Sequence, residues 1–348
     1  PNRYLTVYSN ATLQLWGTQP LSKNFVFFGG SRLYTGAGTE ANNHLQQSVV
    51  LTNGIVLADV TSGNTWNFSA PITGDGGLLT VNSGIVRLNE SATSTGPLVA
   101  QAGTLVLQSN AVVNGPSALV VRGTGRILVD DARVNLADRI ADSTPVVMAG
   151  AGTFNLRGVT DGASSETVGN LVLLGGPATI LMENGTGTAS LTLTFSGLAR
   201  QQGSLVLQHT GAGTLGNVGG TGSRIYITGL ADGFVPWATF NSTNFAWYSA
   251  ADGGLTSMVP PTVEFDGGAN QAGQHVKFTA GNTTYQLDND RTVESLTITP
   301  SAAIPSRAKR ITVDLAGPLS GLLLLGVPAV WLARTLPDPR APVEIVLL

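Results

Sequence analysis

The sequence predicts an all-β chain folded as an elongated β-solenoid, a right-handed parallel β-helix with irregular coils of roughly 20–27 residues. Three observations predict it. A short glycine-led strand, Gly103-Thr104-Leu105-Val106-Leu107-Gln108, returns almost word for word as Gly203-Ser204-Leu205-Val206-Leu207-Gln208, with looser copies opening at Gly54, Gly77, Gly84, Gly125 and Gly152. The opening glycines 54, 77, 103, 125 and 152 lie 23, 26, 22 and 27 residues apart, room for three short strands and their turns. Composition agrees. Charged residues make up only 11% of the 348-residue chain, which carries 44 glycines; an ordinary globular domain has about 25% charged residues. Much Gly, Ser, Thr and Asn with few Lys and Glu favours short strands and tight turns over helices.

Within each repeat the alternation assigns faces. Leu105 and Leu107 are expected to point into a core and Val106 outward. Stacked coils then form apolar ladders at about 4.8 Å per step, since one coil alone cannot bury its inner face. The leading glycine is expected to supply the positive φ of a corner. Asn82, Asn110, Asn114 and Asn135 are expected in turns, stacking their amides from coil to coil.

The order of the chain suggests three parts. Residues 1–50 carry strand-like runs rich in aromatics (Tyr4-Leu5-Thr6-Val7-Tyr8, Phe25-Val26-Phe27-Phe28) and read as capping strands over an open core end. Residues 51–300 read as the solenoid, with an aromatic block at 224–258. Residues 301–348 form a distinct C-terminal segment. There Arg307-Ala308-Lys309-Arg310 precedes an apolar run that contains Leu322, Leu323, Leu324, Leu325 and Trp331 and is interrupted by Pro328. The run is shorter than the approximately 20 residues of a spanning helix. It reads as a subunit contact, an anchor or a sorting tail.

The aromatic block supplies a more specific signal. Trp237-Ala238-Thr239-Phe240-Asn241 is followed by Asn244-Phe245-Ala246-Trp247-Tyr248, and later by Asp290-Arg291-Thr292-Val293-Glu294-Ser295-Leu296-Thr297-Ile298. With the glycine-led strands, over roughly residues 50–300, this resembles the autotransporter-associated β-strand repeats of bacterial surface proteins. The resemblance implies an exported structural or adhesive protein and carries over no catalytic residue. The chain departs from that family's pattern at Pro300, where its composition changes. No run of alternating strands of the length a membrane barrel needs follows.

Composition also narrows the chemistry. There is no cysteine, so disulfides and thiolate metal sites are excluded. A net charge of −3 without a basic patch argues against nucleic acid as a partner. Mean hydropathy is +0.19, unlike a disordered polar chain. Pro1 stands where an initiator Met is absent, which reads as a processed exported chain or a fragment.

Reactive constellations are sparse. The best carboxylate group is Asp130 and Asp131 with Asp138 and Asp142, accompanied by Arg126, Arg133 and Arg139; a polysaccharide lyase or hydrolase would need such a group on one face. Consecutive strand residues face opposite ways, so Asp130 and Asp131 share a site only if a turn intervenes. Gly74-Asp75-Gly76, Asp252-Gly253-Gly254 and Asp266-Gly267-Gly268 do not repeat in register and read as turns rather than calcium sites. His44, His209 and His275 are far apart, and His209 is expected at a corner. No cofactor and no metal is expected.

The expected function is therefore an extracellular structural protein at a bacterial cell surface, a self-assembling fibre or sheath subunit that polymerises with copies of itself. Two alternatives remain. One is an adhesin or glycan-binding protein using Trp237, Trp247 and Tyr248 as stacking platforms. The other is a polysaccharide-active enzyme centred on Asp130–Asp142.

Overall fold

The computed structural model describes residues 3–15, 20–36, 43–241 and 244–257 in full. Beyond these it describes the backbone of eight short strands between Val263 and Leu347. Among the described residues every regular element is a β-strand. The chain divides into two compact units, Pro1–Ala231 with Ser249–Leu255, and Asp232–Tyr248 with Thr256–Leu348.

In the first unit the chain visits three parallel sheets in rotation. The first sheet starts with Tyr4–Val7, Asn24–Phe28, Val49–Thr52 and Ile72–Gly74. The second runs without a break through nine strands, from Thr12–Gln14 to Leu198–Arg200. The third likewise stacks strands from Pro20–Leu21 to Ser204–Thr210. Residues 1–50 already follow this rotation: Leu5 pairs with Phe25, Leu13 with Leu33 and Leu21 with Leu45.

Register makes the core. On the third sheet Trp66, Val86, Leu105, Ile127, Phe154, Ile180 and Leu207 are successive partners, and none of them is exposed. On the second, Val56, Leu78, Leu98, Leu119, Val146 and Leu171 form the matching row. Leu105 and Leu107 point inward as the alternation requires. Val106 points outward, yet is only 5% exposed.

The third-sheet partners lie 20, 19, 22, 27, 26 and 27 residues apart, so the circuits lengthen toward the C-terminal side. Tested against this register, the glycine-led copies turn out to be two classes. Gly54 and Gly77 lead second-sheet strands, whereas Gly84, Gly103, Gly125 and Gly152 lead third-sheet strands. Nor do they share a positive φ. Gly54 and Gly103 have one (117° and 69°), but at Gly77, Gly84 and Gly125 the requirement is space. A Cβ on Gly77 would stand 2.5 Å from the Pro97 carbonyl oxygen, and on Gly84 2.5 Å from that of Thr61. Glycine is there because the neighbouring circuit's backbone passes too close for a side chain.

The first sheet is different. After Ile72–Gly74 it thins to single bridges, Ile72 to Ala92 to Val113 to Ile140. A new parallel run then begins with Ala163–Val168, Ser190–Phe195 and Gly222–Ile227.

In the second unit Gly233–Phe240 and Asn244–Ser249 form an antiparallel pair. Val263–Glu264, His275–Phe278, Ser295–Ile298 and Leu322–Leu324 form a parallel sheet. Another sheet orders Arg291–Val293, Arg310–Val313, Val343–Leu347 and Val330–Ala333, its last two pairings antiparallel.

Candidate functional site

The carboxylate group singled out in the sequence is split by the fold into an inner and an outer half. Asp130 ends the strand Arg126–Asp130 on its outward face, and Asp131 turns inward. A loop then leads from Asp131 to Arg139, part of the added length of this circuit. Arg139 returns to the interior, where both it and Asp131 have side chains with no exposure at all.

The Arg139 guanidinium is fully employed. Its Nε and Nη2 donate to Asp131 Oδ1 at 3.0 and 2.8 Å, Nη2 also to the Val134 carbonyl at 2.9 Å, and Nη1 to the Ser109 and Ala111 carbonyls at 3.1 and 2.9 Å. The planar fork suits this task, reaching the preceding circuit's turn and its own loop together. Burial pushes the Asp131 carboxyl up from its ordinary value, and the Arg139 hydrogen bond and charge pull it back. With no atom open to solvent, Asp131 reaches no substrate; its role is to hold the loop.

Beside this pair lies Glu166, 1% exposed, on the strand Ala163–Val168. Burial pushes its carboxyl up to about 8, against the hydrogen bonds from Ile140 and Arg139, with Asp131 and Asp138 adding to the rise. Asp138 and Asp142 are exposed. The four aspartates therefore do not converge.

The outer half forms a surface ion network. Arg157 pairs with Asp130 at 3.2 Å and with Glu183 at 2.6 Å; Arg126 pairs with Glu183 at 3.1 Å. Asp130, Arg157 and Glu183 are register partners on three successive strands, so the network follows from sheet geometry. Next to it opens a cleft of about 430 Å³ over the outward face of the third sheet. Asn67 and Arg87 line it from paired positions on adjacent strands. Gln108, Ser109, Asp130 and Arg157 follow from the next three circuits, and Ala132 and Arg133 from the loop that ends in Arg139. Sequence reasoning missed this cleft because its lining is spread over some ninety residues, from Asn67 to Arg157. The lining draws on two outward rows: Asn67 and Arg87 stand in line with Val106, Leu128 and Asn155, whereas Gln108, Asp130 and Arg157 stand two positions further along, so the available signal was only the return of polar residues at the C-terminal ends of these strands.

The aromatic candidates sit on the antiparallel pair of the second unit. Phe234 faces Trp247, and Gly233 faces Tyr248. The register shifts between Val235 and Thr239, where Trp237 lies. Trp237 and Trp247 are half-buried; Tyr248 is 3% exposed, its ring closed to solvent. Phe234 packs edge-on against Phe245, with ring centres 5.1 Å apart. Leu322, Leu323 and Leu324 form a strand, and Trp331 lies in Val330–Ala333. The side chains of these four residues, and Leu325 altogether, lie outside the described residues.

Turn chemistry accounts for the described Gly-Asp motifs. Asp75 accepts the Asn53 N–H at 3.1 Å, and the Thr52 hydroxyl and this N–H hold its carboxyl below the ordinary value. Asp252 accepts the Ser249 hydroxyl at 2.8 Å. Asp266 lies outside the described residues. Among the described residues no three His, Asp or Glu side chains are grouped to hold a metal. His44 and His209 lie on third-sheet strands; His209 is in the inward row as the partner of Met182, not at a corner, and burial lowers its pKa. His275 begins a strand in the second unit.

Amides do link circuits, though not in one column. Asn82 donates to Asp59, which also pairs with Arg32. Gln108 donates to Asn89 at 2.8 Å, and Asn135 to the Ala163 carbonyl at 2.7 Å. No protein-family model, curated protein or solved structure matches this chain.

Proposed function

We propose that the chain is an extracellular structural protein of the bacterial surface, in which the three sheets of the first unit wind as a right-handed parallel β-helix and serve as the rigid element of a self-assembling fibre or sheath. The supporting observation is the in-register inner row from Trp66 to Leu207, which continues over seven strands with no exposed member. A row of that kind gives stiffness and supplies no reactive group. Right-handedness is the ordinary hand of parallel crossovers. Export and surface placement rest on the resemblance of the glycine-led strands and the two aromatic and Asp-Arg-Thr-Val blocks to autotransporter-associated β-strand repeats. Sparse charge lowers repulsion between copies.

Electron microscopy over a concentration series tests the reading. Fibres or sheets that lengthen with concentration are expected; monomers at every concentration would overturn it.

A further inference from the structure

The cleft over the third sheet has features that a structural rod does not need. Its lining comes from four strands, the turn after Thr104–Leu107 and the loop that ends in Arg139, over five successive circuits, and every side chain named in it except Ala132 is polar. Four interstrand steps separate Asn67 from Arg157, which at roughly 4.8 Å per step makes a polar track about 19 Å long. Such a length suits an extended polymer better than a compact ligand.

Charge narrows the class. The lining holds Arg87, Arg133 and Arg157 against the single carboxylate of Asp130, in a protein whose net charge is −3. Arg157 is already paired with Asp130 and Glu183. Arg87 makes one hydrogen bond, 3.3 Å to the Thr65 hydroxyl, and no described carboxylate lies within ion-pair distance of it or of exposed Arg133. Two guanidinium groups therefore face the cleft without an anion, and guanidinium forks are well shaped to take carboxylates.

Other polymers fit less well. Single-stranded nucleic acid is held by aromatic stacking as well as by phosphate contacts, and no aromatic side chain lines this cleft. A peptide needs apolar anchors or a free strand edge. The lining offers only Ala132, and each third-sheet strand here is paired on both sides.

We propose that this cleft binds an acidic polysaccharide laid across the strands, with Arg87 and Arg133 taking uronate carboxylates and Gln108 and Ser109 facing the sugar hydroxyls. The proposal is independent of whether the chain forms fibres.

The test uses the full chain and polygalacturonate, with dextran and oligo(dT) as comparison polymers, by isothermal titration at low and high salt. Binding of polygalacturonate that weakens with salt is expected, with none of dextran. The double variant Arg87→Ala/Arg133→Ala should weaken it at least tenfold with an unchanged melting transition. Arg133→Glu alone should weaken it as well, and because Arg133 is exposed on its loop that variant keeps the test valid if the double variant fails to fold. Arg3→Ala/Arg122→Ala removes the same charge from exposed positions outside the cleft and should bind as the parent does. No binding by the parent, parent-like binding by the cleft variants, equal loss in the control, or tighter binding of oligo(dT) would each overturn the proposal.

Discussion

The Glu166 carboxylate accepts the backbone N–H groups of Arg139 and Ile140, at 3.0 and 3.1 Å, one on each oxygen. One circuit earlier the equivalent link is main chain to main chain, Val113 N–H to the Arg139 carbonyl at 2.7 Å and Ala141 N–H to that of Val113 at 2.9 Å. A side chain thus continues a ladder that the backbone does not.

Glu166→Gln has the shape of the protonated acid, with N–H₂ in place of O–H, so near pH 5 a change of no more than about 1 kcal/mol is expected. The carboxyl, raised from 4.5 to about 8, binds its proton more tightly folded than unfolded. Its contribution to stability is therefore present at low pH and is lost as pH rises from 4.5 toward 8. Asp131, Asp138 and Arg139 are the charges around it. Urea unfolding at pH 5 and pH 8 should show the parent losing stability at the higher pH and the variant changing less; equal slopes would refute the assignment.

Arg139 and Arg157 should differ sharply. Arg139→Ala leaves Asp131 buried without its cation, a loss of about 3–5 kcal/mol, much of which Asp131→Leu/Arg139→Met should restore. Arg157→Ala removes two partly exposed ion pairs, to Asp130 and Glu183, and should cost only about 1 kcal/mol, less still in high salt. Chemical denaturation of these three variants beside the parent decides between these expectations and a uniform arginine effect.

Gly125→Ala places a methyl group against the Ala100 carbonyl of the adjacent circuit, and a destabilisation of about 1–3 kcal/mol is expected from the forced shift. Gly219→Ala meets nothing within 4 Å and should stay within about 0.5 kcal/mol. Thermal melts compare them directly; similar losses would mean that the glycine requirement is conformational rather than steric.

Strand identity and face were legible in the sequence because alternation depends only on neighbours a few residues apart. Leu105, Val106 and Leu107 could be assigned that way, and so could the opposite faces of Asp130 and Asp131. Phase was harder to read. Gly77 and Gly103 look equivalent as words, yet they lead strands of different sheets, since a glycine is needed wherever two circuits approach closely. Arg139 could not be placed from its surroundings, because a charged residue in a polar loop ordinarily reads as exposed. Its burial depends on carbonyls contributed by Ser109 and Ala111, about thirty residues away. The cleft has the same character, being assembled across circuits from two outward rows rather than from a motif along the chain.

The single bridges from Ile72 to Ile140 leave the first face of these circuits with far fewer rungs than the other two. Resistance to shear along the stack is then unequal around its circumference. Two faces act as continuous rails and the third as a zip with missing teeth, so local opening is expected to begin along the bridged face before the Leu-rich rows of the other two.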